Sequence, residues 1–139
     1  MTEQAARLPG PCRECGGVGT EWLVQSTNNG SLSWEVEWDC DTCGISHDSG
    51  EGWAPSRVRN TILEQHGPHC LELVDAAAHG GKLLKSFRAA FGTSIQEAKR
   101  LSDELKRSGF EGTLVETALL SELLEKFGIS SATQPGRCS

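Results

Sequence analysis

Six cysteines, at positions 12, 15, 40, 43, 70 and 138, carry the most specific chemistry in this 139-residue chain. The first four fall in two C-x-x-C-G turns, Cys12-Arg13-Glu14-Cys15-Gly16 and Cys40-Asp41-Thr42-Cys43-Gly44, with 24 residues between Cys15 and Cys40. A two-residue gap lets both thiolates of a pair reach one tetrahedral ion at about 2.3 Å, and the following glycine permits a tight turn. The pattern reads as one structural zinc ion held by Cys12, Cys15, Cys40 and Cys43. Four sulfur ligands fill the coordination sphere, leaving no open position for catalysis. From the residues alone, redox cysteines and inert thiols stay as alternatives. A redox motif, however, uses one C-x-x-C opening a helix and needs no matching second pair. A disulfide pair needs an oxidising compartment.

The other candidate ligands are weaker. His66, His69 and Cys70 lie close in sequence, but Gly67-Pro68 marks a turn between them. Cys70 opens an apolar strand and reads as a buried thiol, with the two histidines on the surface. His47 could serve as a ligand only if a cysteine did not. Cys138, next to the last residue, reads as a free thiol on a mobile tail. Motifs for catalysis are missing: there is no Gly-rich phosphate loop, no G-x-S-x-G and no H-E-x-x-H. The expectation is a protein without catalytic residues.

The elements that would position the cysteines follow from periodicity. Residues 20–27 and 31–40 flank Asn28-Asn29-Gly30, a hairpin turn signal. In SLSWEVEWDC, Leu32, Trp34, Val36 and Trp38 alternate with polar residues at the period of a half-buried strand. A paired-cysteine hairpin of this kind resembles the zinc ribbon family over residues 11–44, with all four ligand positions and both glycines matched. The stretch ISHDSGEGWA after Cys43 reads as a linker or loop. Beyond it come a helix starting near Pro55 and stopping at Gly67-Pro68, a strand around Leu71 and Leu73, and a helix growing out of residues 76–81 and closed by Gly92. A second helix opens with a Ser94/Glu97 capping box and turns Ile95, Ala98, Leu101, Ser102 and Leu105 inward. A third carries Val115, Leu119, Leu120, Leu123, Leu124 and Phe127, with short strands at GFEGTLV and ISSAT.

These elements predict an α+β fold: an N-terminal zinc ribbon at 1–53, a connecting helix at 54–68, and a β-α-α-β-α-β domain at 69–139 with helices on one sheet. The wording of the last part, KSFRAAFGTSIQEAKRL followed by an EG turn and LSELLEKFG, resembles the C-terminal domain of the bacterial ribosomal large-subunit stalk protein over roughly residues 69–134. That resemblance implies a face of two helices that docks translational GTPases. Lys85, Arg88 and Lys99 fall on its basic docking positions, and Gly92 on the glycine between its helices. Thr93 and Gln96 depart from the pattern, and the stalk protein's dimerisation region and hinge are replaced by the cysteine module.

Charge bounds the partner class. Residues 1–53 hold nine acidic and two basic groups, net −7, whereas residues 54–139 hold eleven basic and ten acidic, net +1. Nucleic-acid binding normally needs a basic stripe, so the cysteine module has the wrong sign for it. No apolar run approaches the roughly 18 residues of a membrane span, and MTEQAARLPGP lacks a basic segment followed by an apolar one. The expectation is a cytoplasmic protein with no membrane association and no small-molecule substrate. It would act as an interaction adaptor through Lys85, Arg88 and Lys99, whose alternative is a solvated helix face, or through an aromatic patch of Trp34 and Trp38 joined by Trp22, whose alternative is core packing. The basic residues could instead face the acidic module of the same chain. Two further readings are a nucleic-acid- or ribosome-associated ribbon factor, whose tryptophans stack on bases, and an immunity or inhibitor protein with an acidic surface.

Overall fold

Asn29 (φ 54°) and Gly30 (φ 77°) both occupy the left-handed region, as a two-residue type I′ turn requires. They join β2 (Val18–Asn28) to β3 (Ser31–Cys40) in the computed structural model of the chain, which describes residues 2–75 and 81–138. Two further strands, β1 (Glu3–Pro11) and β4 (Gly44–Glu51), flank this hairpin in an antiparallel sheet of order β1-β2-β3-β4. The sheet corrects the expectation of a loop after Cys43. Gly, Ser and Asp give residues 44–51 no strand propensity, but the tight turn at 41–43 lays them in register on β3, with Cys40 opposite Gly44 and Ser33 opposite Glu51.

Gly67 and Pro68 end α1 (Ser56–His66), as read from the sequence. There follow β5 (His69–Leu73), α2 (Gly81–Phe91), α3 (Ile95–Arg107), β6 (Phe110–Gly112), α4 (Leu114–Lys126) and β7 (Ser131–Pro135). The start expected for α2 within 76–80 lies outside the described residues. The last three strands form an antiparallel sheet of order β6-β5-β7. The architecture is α+β, with antiparallel sheets and four helices among the described residues.

Helix ends depart from the sequence reading in two places. Ser94 accepts from the Glu97 amide, but the Glu97 carboxylate turns to Arg100 instead of closing the box. The complete capping box belongs to Thr113 and Glu116 on α4. Ile95, expected inside, is 57% exposed, while Ala98, Leu101, Ser102 and Leu105 are buried.

One apolar cluster gathers Phe87, Phe91, Phe110, Leu119, Leu120 and Leu124 between the helices and the second sheet. Leu32 of β3 is part of it, and Trp53 stacks on Phe91 with ring centroids 4.4 Å apart. A smaller cluster of Ala6, Leu23, Ala54, Val58 and Ile62 seats α1 on the first sheet. Contacts therefore cross both boundaries drawn at residues 53 and 68. A polar joint does the same. Glu116, fully buried, accepts from Arg59 Nε (2.9 Å) and from Gln25 Nε2 (2.9 Å), and the Thr113 hydroxyl donates to Gln25 Oε1. A buried carboxylate is tolerated only when paired and fully hydrogen-bonded, a condition this joint meets.

Cys70 and Cys138 are joined in a disulfide, with Cα atoms 5.1 Å apart. This corrects the reading of a free thiol on a mobile tail. The C-terminal segment follows β7 back along β5, where Pro135 lies opposite His69, and so returns the chain end to Cys70. Gly109 leaves room for the bridge: a Cβ there would sit 3.0 Å from the Cys138 sulfur.

Candidate metal centre

The two C-x-x-C turns lie at the same end of the first sheet, one between β1 and β2 and the other between β3 and β4. The pairings Gly10 with Gly19 and Gly19 with Cys40 bring them together across three strands. In the first turn the Cys12 amide donates to the Gly17 carbonyl (2.7 Å) and the Gly16 amide to the Cys12 carbonyl (2.9 Å). Gly16 (φ 70°) and Gly44 (φ 88°) both adopt the left-handed conformation that the glycine after each pair was expected to supply.

All four sulfur atoms lie within 4.8 Å of one another. Cys15 Sγ is 3.4 Å from Cys40 Sγ, and Cys12 Sγ is 3.9 Å from Cys43 Sγ. Neither distance is a disulfide, whose sulfurs stand about 2.05 Å apart. A tetrahedral ion with metal–sulfur bonds of about 2.3 Å has sulfur–sulfur edges of about 3.8 Å, and the observed separations straddle that value. Cys12 and Cys40 are buried and Cys15 and Cys43 exposed, so the cluster sits at the rim of the sheet. The four residues can hold one metal ion.

Backbone donors favour thiolate here. Hydrogen bonds from the Cys15 and Glu14 backbone lower the Cys12 pKa to about 6, and the Gly17 amide donates to Cys15 Sγ (3.4 Å). Sharing with the Cys15 and Cys12 sulfurs pushes Cys43 up to about 12. Four sulfurs this close cannot all carry charge without a cation among them.

The tryptophans divide between the two faces of the sheet. On the inner face, the Trp38 indole lies over Gly19 of β2 and the Trp34 indole over Gly50 of β4; a Cβ on either glycine would come within 2.4 and 2.7 Å of the ring. Trp34 also packs on the Ala6–Leu23–Ile62 cluster. Trp22 points to the outer face, 41% exposed, with the Arg7 guanidinium over its ring. The three therefore form no common patch. Trp38 borders an open groove of about 550 Å³ beside the cysteines, together with Leu8, Cys12, Glu21 and Arg57.

Lys85 and Arg88 on α2 and Lys99 on α3 are exposed, and none is in an ion pair among the described residues. The acidic module is met instead by α1, whose Arg57 pairs with Glu21. Sequence reasoning missed that contact and the Arg59–Glu116 pair, because the partners stand 36 and 57 residues apart. His47 pairs with Glu35 on the outer face, away from the cysteines. Among the described residues no helix is long and apolar enough to cross a membrane. Comparison of the chain with protein-family models, curated proteins and solved structures finds no match.

Proposed function

We propose that the chain is a non-enzymatic zinc protein that acts as an adaptor between protein partners. The observation that carries the metal assignment is the four-sulfur cluster, whose separations of 3.4 and 3.9 Å suit a tetrahedral ion. Zinc is the natural occupant of an all-cysteine tetrahedral site, and with four thiolates it serves structure and not catalysis. The ion would fix two turns that few apolar contacts support.

The adaptor reading rests on the face shared by α2 and α3. Lys85 and Arg88 are exposed on α2 and Lys99 on α3, one helical turn from Ile95, a large apolar side chain left 57% exposed. Exposed basic side chains on two helices, one of them beside an exposed apolar residue, fit an acidic protein surface, the charges setting orientation and association rate. A translation-associated partner is the candidate that the stalk-protein resemblance supplies. Affinity capture with wild type and with the triple variant Lys85→Glu, Arg88→Glu, Lys99→Glu tests the reading. A protein recovered by wild type and lost from the folded variant supports it. Equal recovery removes this face from the function, and steeply salt-dependent recovery of RNA would replace the adaptor reading.

A further inference from the structure

The two edges of the four-stranded sheet are treated differently, and the difference defines a second interaction surface, independent of the α2–α3 face. Backbone parity follows from two bonds. The Gly52 amide donates to the Leu32 carbonyl (2.8 Å), so the even-numbered residues of β4 bond to β3 and the odd-numbered ones turn their N–H and C=O outward. The Thr27 amide donates to the Thr2 carbonyl (2.9 Å), which by the same alternation turns the odd-numbered residues of β1 outward.

On β1 the middle of that outward row is covered by the end of α1. The Arg7 amide donates to Gln65 Oε1 (3.2 Å), Gln65 Nε2 donates back to the Arg7 carbonyl (2.8 Å), and His66 Nε2 donates to the Ala5 carbonyl (2.7 Å). The Gln65 amide imitates one rung of a neighbouring strand. Pro9, next in the row, has no N–H to offer. On β4 the row is Ile45, His47, Ser49 and Glu51. Asp48 Oδ1 accepts from the Ser49 amide (2.9 Å). No other hydrogen bond reaches these outward groups among the described residues, and all four residues are exposed. An uncovered edge of this kind is a template for an added strand.

Charge selects the strand. The outer face beside the edge carries Glu35, Glu37 and Asp39 of β3, which stand opposite Ser49, His47 and Ile45, and Glu51 of β4 itself. The Glu35 carboxylate lies 3.5 Å from His47, the one basic side chain on β3 or β4. A second copy of this edge would bring like charges together, since β3 and β4 carry Glu35, Glu37, Asp39, Asp48 and Glu51 against the single His47. A strand bearing lysine or arginine on alternate residues would set one toward Glu35 across the small Ser49 and others toward Glu51 and, past His47, Glu37.

We infer that β4 accepts an extended basic segment of a partner protein as a fifth antiparallel strand, bonded to the backbone of Ile45 and His47 and held by the Glu35–Glu37–Asp39 row. The probe is a synthetic peptide alternating lysine and valine, offered to the zinc-loaded full chain. Its counterpart is the same peptide N-methylated on the amides of one edge. Binding is read by fluorescence polarisation, and by amide shifts at residues 45–49. The expected result is binding by the plain peptide and at least tenfold weaker binding by the N-methylated one. Glu35→Lys with Glu37→Lys should weaken binding at least tenfold. His47→Pro removes one outward donor and leaves the β3 ladder intact, so it should weaken binding too. Equal binding of both peptides would reduce the surface to charge attraction and overturn the strand, as would no binding at all. Concentration-dependent dimers abolished by His47→Pro would assign the edge to a second copy and overturn the basic partner. Because the peptide pair is compared on wild type, misfolding of a variant leaves the test intact.

Discussion

Around the N-terminal sheet the buried apolar cluster has five residues, two of them alanines, whereas sixteen build the cluster between the helices and the second sheet. The first region is wide and thin. Its strands run for eight to eleven residues, yet one face is open to water and the cysteine turns belong to neither apolar cluster. The second has short strands and a dense interior of Phe and Leu, each fully buried side chain contributing about 1.5–3 kcal/mol. Hydrophobic burial dominates the second region, which also carries the Cys70–Cys138 bridge, while the first has little burial to hold its cysteine turns. The cysteine cluster stands at those turns, and the Gln25–Glu116–Arg59 joint sits where the two regions meet.

Breaking the metal centre should separate the regions most sharply. Cys40→Ser is expected to abolish stoichiometric zinc in elemental analysis and to remove hydrogen-exchange protection from residues 18–23 and 37–46. Helices α2 to α4 should stay protected; their simultaneous loss would mean one cooperative core. Next in size is the joint. Glu116→Ala leaves Arg59, Gln25 and the Thr113 amide without their acceptor, and urea unfolding should show a loss of about 3–5 kcal/mol. Cys138→Ser acts on the second region alone. Opening its 68-residue loop should cost about 2–4 kcal/mol, with the metal content unchanged. Gly19→Ala perturbs the sheet beside the cysteines, since the new Cβ would meet Trp38 and the Asp39 carbonyl at 2.4 and 2.8 Å. A loss of about 1–3 kcal/mol is expected by thermal unfolding. Smallest is the triple charge reversal at Lys85, Arg88 and Lys99, which should leave stability within about 0.5 kcal/mol.

What could be read in advance was local. Asn29-Gly30 fixes a turn by its own φ preferences, the C-x-x-C-G spacing brings two sulfurs to one point, and Gly67-Pro68 stops a helix whatever surrounds it. What could not be read was imposed from a distance. Residues 44–51 have the composition of a loop and become a strand because β3 is already beside them. Ser94 and Glu97 have the sequence of a capping box, but Arg100 competes for the carboxylate and wins. Trp22, Trp34 and Trp38 share a parity in sequence, yet the turn at 29–30 reverses the chain and places Trp22 on the opposite face. The Cys70–Cys138 bridge depends on β7 returning to β5, a pairing without local signature.

That bridge also decides how the molecule answers to tension. A force applied between the two ends of the chain passes from Cys70 directly to Cys138 and bypasses everything in between. Helices α2 to α4 and the second sheet are then mechanically shielded. Only the first 70 residues can be drawn out, to a contour of about 240 Å at roughly 3.4 Å per residue. The strands of the first sheet and the cysteine turns then bear the load, and an ion held by the four cysteines would add its metal–sulfur bonds to what a pull must break. Under a reductant the same pull would reach the whole chain and about double the extension.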